Sequence, residues 1–342
     1  MSNVHRDPQL ELTVAELFTS VGILESTESI PDHLELFIVQ AERIWKKILA
    51  DQKTGELTSD QGIEFQQLLV EACGSVLCHP VVSDNRYLRR FSEGVTESQA
   101  RHECQQFSVF ALQFDVAQAK LVANSPTEES YQERLRVLLN EKGIPYQDGF
   151  EGELTGRWSD STVHFTWMLK MAKGLNLKFD EIGKIWIAFP GTKKFVEATF
   201  QLYGNTDPST GAGAAFAIEN WAANSLWRPW ISGMKKLNES NLQKVNLGYL
   251  LYHEKEEEHH SQATLDELYE DFQEPWFDAQ KFLAGAENML TGGVLAYYES
   301  QLSNLPDRDE TWPEEATGNR HDSLEDLRRV DSGTDSEIHS IS

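Results

Sequence analysis

The chain has 342 residues, 55 acidic against 30 basic side chains, and a formal net charge of −25. That balance argues against nucleic acid or an anionic membrane as a partner, since both require clustered Lys and Arg. With 40% hydrophobic residues it can still build a sizeable core.

In chain order, the first 29 residues read as an N-terminal extension, and MSNVHRDPQLEL lacks the apolar stretch of a secretory signal. Helical periodicity then sets in over Leu34–Leu49 and again over Glu64–Leu77, which must stop at His79-Pro80 because proline disfavours helix in the residue before it. Ser98–Asn124 reads as one long helix. A further helix starts at Ser125/Pro126, with Gly143 as its C-terminal stop. Ile144–Thr162 is a long irregular insertion rich in Gly and polar residues.

Helical spacing resumes in VHFTWMLKMAKGL, LKFDEIGKIWIAF and TKKFVEATFQLYG, and then in Gly211–Leu237, where Pro229 should kink the helix. Two last stretches, LGYLLYHEKEEEHHSQATLDELYEDF and WFDAQKFLAGAENMLTGGVLAYYESQL, complete the set. No alternating strand pattern, internal repeat or apolar run of the roughly 18–20 residues needed to span a bilayer occurs. The expected architecture is all-α: a multi-helix bundle over residues 30–303. Residues 304–342 follow as an acidic, disordered tail, too poor in apolar residues to offset the entropy of ordering. Three cysteines, Cys73, Cys78 and Cys104, none at C-x-x-C spacing, point to a reducing, cytoplasmic setting without disulfides.

Polar residues stand where apolar ones belong. In HEKEEEHH, at about 100° per residue, His253, Glu257 and His260 share an arc of roughly 60°, whereas Glu254, Glu258 and His259 point elsewhere. Two imidazoles and a carboxylate on one face are the donor set of a non-heme iron site; they are also what a solvated acidic helix offers. Glu219, in GAAFAIENWAANSLW, sits among Ala215, Phe216, Ala222, Ala223 and Leu226. An unpaired carboxylate there would cost several kcal/mol, so it needs a cation or a proton. His164 lies on the apolar face of Trp167, Met168 and Met171, and Glu141 ends a helix whose dipole it opposes. Trp167, Phe216, Trp221 and Trp227 suit either a pocket wall or an ordinary core. Arg228 falls roughly opposite Glu219 around its helix, so no cation is evident for a substrate carboxylate.

These residues, in this order, resemble the heme-oxygenase-like diiron oxidase family, whose members carry Glu, His, Glu and then an H-x-x-x-[DE]-x-x-H run on successive core helices. Here the run is His253-x-x-x-Glu257-x-x-His260, preceded by Glu219 in AIENWAA, His164 in VHFTWML and Glu141 in the N-E-x-G ending Asn140–Gly143. The resemblance covers roughly His79 to Phe272. Glu257 departs from the usual Asp, and the length of Ile144–Thr162 leaves Glu153 as an alternative to Glu141. The resemblance implies a heme-oxygenase-like bundle with two Fe(II)/Fe(III) ions per chain held by Glu141, His164, Glu219, His253, Glu257 and His260. It further implies O2 as co-substrate, a fatty-acid-like or amino-acid-like substrate and an external electron donor, and a homodimer is compatible with it. Two rival readings stand beside it: a thiaminase-II-like hydrolase using Cys104 as nucleophile, and a non-catalytic helical binding protein.

Overall fold

Four threonines start helices by the same chemistry. Thr13, Thr58, Thr96 and Thr127 each accept a hydrogen bond from a backbone N–H three residues on, and the residue there (Glu16, Gln61, Gln99 or Ser130) bonds back. The helices they open are α1 (Val14–Ser20), α3 (Ser59–Ala72), α6 (Glu97–Ala123) and α7 (Glu128–Glu141). The computed structural model describes residues 12–147, 154–242 and 244–307.

The remaining helices are α2 (Asp32–Thr54), α4 (Pro80–Ser83), α5 (Arg86–Glu93), α8 (His164–Gly174), α9 (Pro190–Ala198) and α10 (Pro208–Trp221). They continue with α11 (Trp227–Ser240), α12 (Gly248–Phe272), α13 (Ala279–Asn288) and α14 (Ala296–Ser303). Among the described residues there is no strand, only two isolated bridges, so the fold is all-α as expected. None of these helices is long and apolar enough to cross a membrane. The chain divides into units of residues 1–308 and 309–342, and only the first contains described residues.

Aromatic packing joins the helices. Phe107 of α6 meets Trp230 of α11 at 4.7 Å between ring centroids, and Phe110 stacks on Phe195 of α9 at 4.1 Å. Glycines allow the tightest crossing: a Cβ on Gly213 of α10 would lie 1.9 Å from the Phe282 carbonyl of α13.

Several elements differ from expectation. LKFDEIGKIWIAF is not a helix but two short 3-10 turns, Phe179–Glu181 and Ile185–Ile187. Gly183 between them has φ +69°, and a side chain there would strike Phe165 and Leu112. The segment instead runs along α6, which holds it through Gln105 Nε2 to the Glu181 carbonyl (3.3 Å) and Gln106 Nε2 to the Ile187 carbonyl (3.1 Å). The disturbance expected at Pro229 appears just upstream, as a π-helical turn over Ala222–Leu226 between α10 and α11. Pro229 then sits in the first turn of α11, where its missing N–H costs little. Similar π turns at Cys73–Leu77, Thr199–Tyr203 and Met289–Leu295 extend or join helices without a loop. Helices α1 and α5 went unmarked by periodicity. Yet α1 buries Val14, Leu17 and Phe18, and α5 buries Tyr87, Leu88 and Phe91.

Candidate metal centre

Helix α12 presents its histidines and acids by register. His253, Glu256, Glu257 and His260 are buried, while Glu258 and His259 are exposed. Around this spine the other helices deliver their polar residues. Glu141, the last residue of α7, and His164, the first of α8, meet His253. Glu219, in the last turn of α10, meets Glu257 and His260. Ligand atoms within each trio, Glu141/His164/His253 and Glu219/Glu257/His260, lie within 4.8 Å of one another. Ligands about 2.1 Å from a common ion are themselves roughly 3–4 Å apart, so only a small closure is needed.

The long insertion does not separate Glu141 from His164, because it is a loop closed at its base. Gly143 adopts φ +93°, and a Cβ there would sit 2.6 Å from the Ser159 carbonyl. Ser159 N–H and Thr162 Oγ1 both donate to the Gly143 carbonyl, at 3.3 and 2.8 Å, and Trp158 Nε1 donates to the Lys142 carbonyl at 2.8 Å. The returning strand of chain therefore passes directly behind the end of α7, and His164 Nδ1 comes to 2.8 Å from Glu141 Oε2. Glu153, the alternative carboxylate, lies outside the described residues.

His164 Nδ1 and Glu141 Oε2, though only 2.8 Å apart, are not aligned for a hydrogen bond, and His164 Nδ1 is buried without a hydrogen-bond partner. Buried Glu257 Oε2 also has none, with His260 Nδ1 at 3.5 Å. His260 Nδ1 is also 3.5 Å from Glu219 Oε2, and His253 Nε2 is 3.8 Å from Glu141 Oε1. His253 Nδ1 lies 2.7 Å from the Tyr249 carbonyl, its partner one turn back. That contact assigns the ring proton to Nδ1 and leaves the Nε2 lone pair on the side of Glu141, a common support for a metal-binding imidazole.

Charge tells the same story. Burial, then the neighbouring Glu219 charge, pushes the Glu257 carboxyl up to about 7. Burial also opposes ionisation of Glu141, but His164 and His253 outweigh it and hold that carboxyl well below its usual range. For His260, burial is outweighed by Glu219 and Glu257, which raise it well above the ordinary imidazole value. Burial, with the partial opposition of Glu141, holds His164 low, and the charges of both His253 and His260 add to that. The two trios thus share one electrostatic chamber. Two buried carboxylates and the half-buried Glu141, with no Lys or Arg among the contacts described for them and two ligand-type atoms lacking hydrogen bonds, are a donor set suited to cations. The mixture of nitrogen and oxygen donors fits a divalent transition metal better than magnesium or calcium, which favour oxygen alone.

The structure also sorts the surrounding residues. Trp167 stacks on His164 at 4.8 Å and Trp227 lies 5.1 Å from His253, whereas Phe216 packs on Phe37 and Trp221 on Phe195, away from the ligands. Arg228 is exposed near Glu254 and Glu258. Cys104 is buried and burial pushes its thiol up to about 12, the opposite of an activated nucleophile.

Sequence reasoning missed three supporting side chains. Tyr203 closes the Thr199–Tyr203 π turn and donates to Gln118 Oε1 at 2.6 Å, with Glu219 Oε1 at 3.4 Å. Tyr252 donates to Asn140 Oδ1 at 3.1 Å, beside Glu141. Glu256 is buried with Oε2 lacking a hydrogen-bond partner, just outside the metal-facing arc of α12. Only Glu256 left a trace in the sequence, since it flanks the stripe by about one residue's rotation. A scan against protein-family models and a search of curated proteins gave no match.

Proposed function

We propose that the protein is a non-heme dinuclear iron enzyme that uses O2 to oxidise a small organic substrate. One observation carries this reading: two Glu/His trios, five of their six residues buried, one with two imidazoles and one with two carboxylates, are arranged against successive turns of a single helix. When bound, two ferrous ions would supply the electrons that reduce O2.

The chain's own residues would do the rest. Glu141, His164 and His253 would hold one ion; Glu219, Glu257 and His260 would hold the other. Three carboxylates offset most of the charge of two divalent cations and can change binding mode as that charge rises. Tyr249 fixes the His253 tautomer through its carbonyl, and Tyr203 anchors the neighbourhood of Glu219 through Gln118. Trp167, Trp227 and Tyr252 form an aromatic wall on the Glu141 side of the chamber that keeps bulk water from the ligands. A fatty-acid-like or amino-acid-like substrate and an external donor of reducing equivalents belong to the same reading. The Cys104 environment speaks against hydrolysis through a thiolate.

Anaerobic loading with Fe(II), removal of excess metal and metal analysis test this directly, followed by O2 consumption in an oxygen electrode. The reading predicts about two irons per chain and O2 uptake that Cys104→Ser leaves unchanged. A stoichiometry near zero, with no other transition metal taken up in place of iron, would overturn it.

A further inference from the structure

A second chemical feature lies apart from the proposed metal ligands. Cys73 and Cys78 bracket the π turn that extends α3. The Cys78 N–H donates to the Cys73 carbonyl at 3.1 Å, the i to i+5 bond of a π helix, which stacks the two residues one turn apart. Each thiol lies close enough to shift the proton affinity of the other. Exposure divides them: Cys73 is fully buried, whereas Cys78 is partly open to solvent. An accessible thiol with a shielded partner one turn away is the arrangement of a reactive cysteine with its resolving cysteine.

We infer that Cys78 and Cys73 form a two-electron redox site, in which a hydroperoxide oxidises Cys78 and Cys73 resolves the product to an intramolecular disulfide. This site is independent of metal binding. The neighbouring Cys73 lowers the Cys78 thiol from its usual value, and burial raises that of Cys73 well above it, so the thiolate forms on the accessible sulfur. His79 next door supplies no positive charge. Burial holds it down to about 4, Nδ1 accepts the Val81 N–H at 3.2 Å, and Nε2 lies 3.3 Å from Thr291 Oγ1.

In the first step the Cys78 sulfur attacks one peroxide oxygen and the O–O bond breaks. The departing oxygen takes a proton from solvent to leave as an alcohol, or as water from hydrogen peroxide, and Cys78 becomes a sulfenic acid. In the second, Cys73 loses its proton and its sulfur attacks the Cys78 sulfur. An S–S bond replaces the S–O bond and water leaves. Two thiols are oxidised and one peroxide is reduced. The sulfurs must close to about 2.05 Å, and the π turn already places the two residues one turn apart.

Sequence makes the test direct, because no Lys or Arg separates the two cysteines: both fall in one tryptic peptide, Thr54–Arg86, and Cys104 falls in another. Reduced, folded protein would be treated with hydrogen peroxide, denatured in an alkylating agent, digested and weighed. The expected peptide Thr54–Arg86 is lighter by two hydrogen atoms and unalkylated, with Cys104 fully alkylated. In Cys73→Ser, Cys78 should stop at a sulfenic acid that dimedone traps; in Cys78→Ser, Cys73 should remain a thiol. The folded chain should also react faster than the same chain in guanidinium, which separates a built site from two ordinary thiols. The inference is overturned if wild-type Cys78 goes on to sulfinic or sulfonic acid while Cys73 stays reduced. It is equally overturned if Cys78 bridges only between chains, or if unfolding does not slow the reaction.

Discussion

His259 and His260 are neighbours in sequence but about 100° apart on α12, and only His260 is buried with Glu219 and Glu257. His260→Ala should therefore remove the metal of that trio and all O2 chemistry. His259→Ala should leave metal content unchanged and alter stability by no more than about 0.5 kcal/mol. Metal analysis of the two variants side by side checks the register of the whole helix, and equal behaviour would refute it. A second expectation concerns His102, buried against Phe189 with burial holding it down to about 4. Unfolded, it would titrate near 6.5, so between pH 6.5 and 4 the unfolded chain binds the extra proton and stability falls as the pH drops. By pH 5 this should cost about 1–2 kcal/mol. Urea unfolding of metal-free protein at pH 7 and pH 5 should show His102→Gln losing less stability on acidification than the parent chain. Five of the six residues of the two trios stood out by their own spacing, Glu219 and His164 because they interrupt apolar stripes; Glu141, at a helix end, was singled out through the resemblance. Tyr203 and Gln118 did not, because their role depends on a contact between helices that neither residue's local spacing encodes.

At the scale of elements, the join between α7 and α8 sets the Glu141 side of the chamber. Gly143 permits both the positive φ and the approach of Ser159, and the Val163 backbone and side chain lie nearly as close to its missing Cβ, at 2.9 Å. Gly143→Ala should destabilise the fold by more than about 1 kcal/mol and displace His164. Metal at the Glu141/His164/His253 trio should then be lost while the Glu219/Glu257/His260 trio keeps its own. Thermal melting with metal analysis checks both halves, and retention of two metals at full affinity would show that the loop is not what aligns α7 with α8. The insertion looked like an obstacle because sequence length measures separation along the chain, while the hydrogen bonds at its base set separation in space. The same difference explains residues 177–189. Their apolar spacing suits a helix, but Gly183 and the polar grip of Gln105 and Gln106 fix an irregular path along α6. The π turns were also invisible, since one extra residue in a turn leaves an apolar pattern nearly intact.

For the molecule as a whole, the helical bundle is a frame that brings four helix positions to one interior point. The end of α7, the start of α8 and the last turn of α10 converge on two successive turns of α12. Most of the chain's negative charge lies elsewhere, so net charge alone gave no hint of a cation site; the three interior carboxylates did. Their arrangement is asymmetric, with two imidazoles and one carboxylate on one side and one imidazole and two carboxylates on the other. That asymmetry has a spectroscopic consequence. Mössbauer spectra of the protein loaded anaerobically with iron-57 should show two inequivalent high-spin ferrous sites in equal amounts. A single ferrous environment accounting for one iron per chain, or no bound iron at all, would contradict the account.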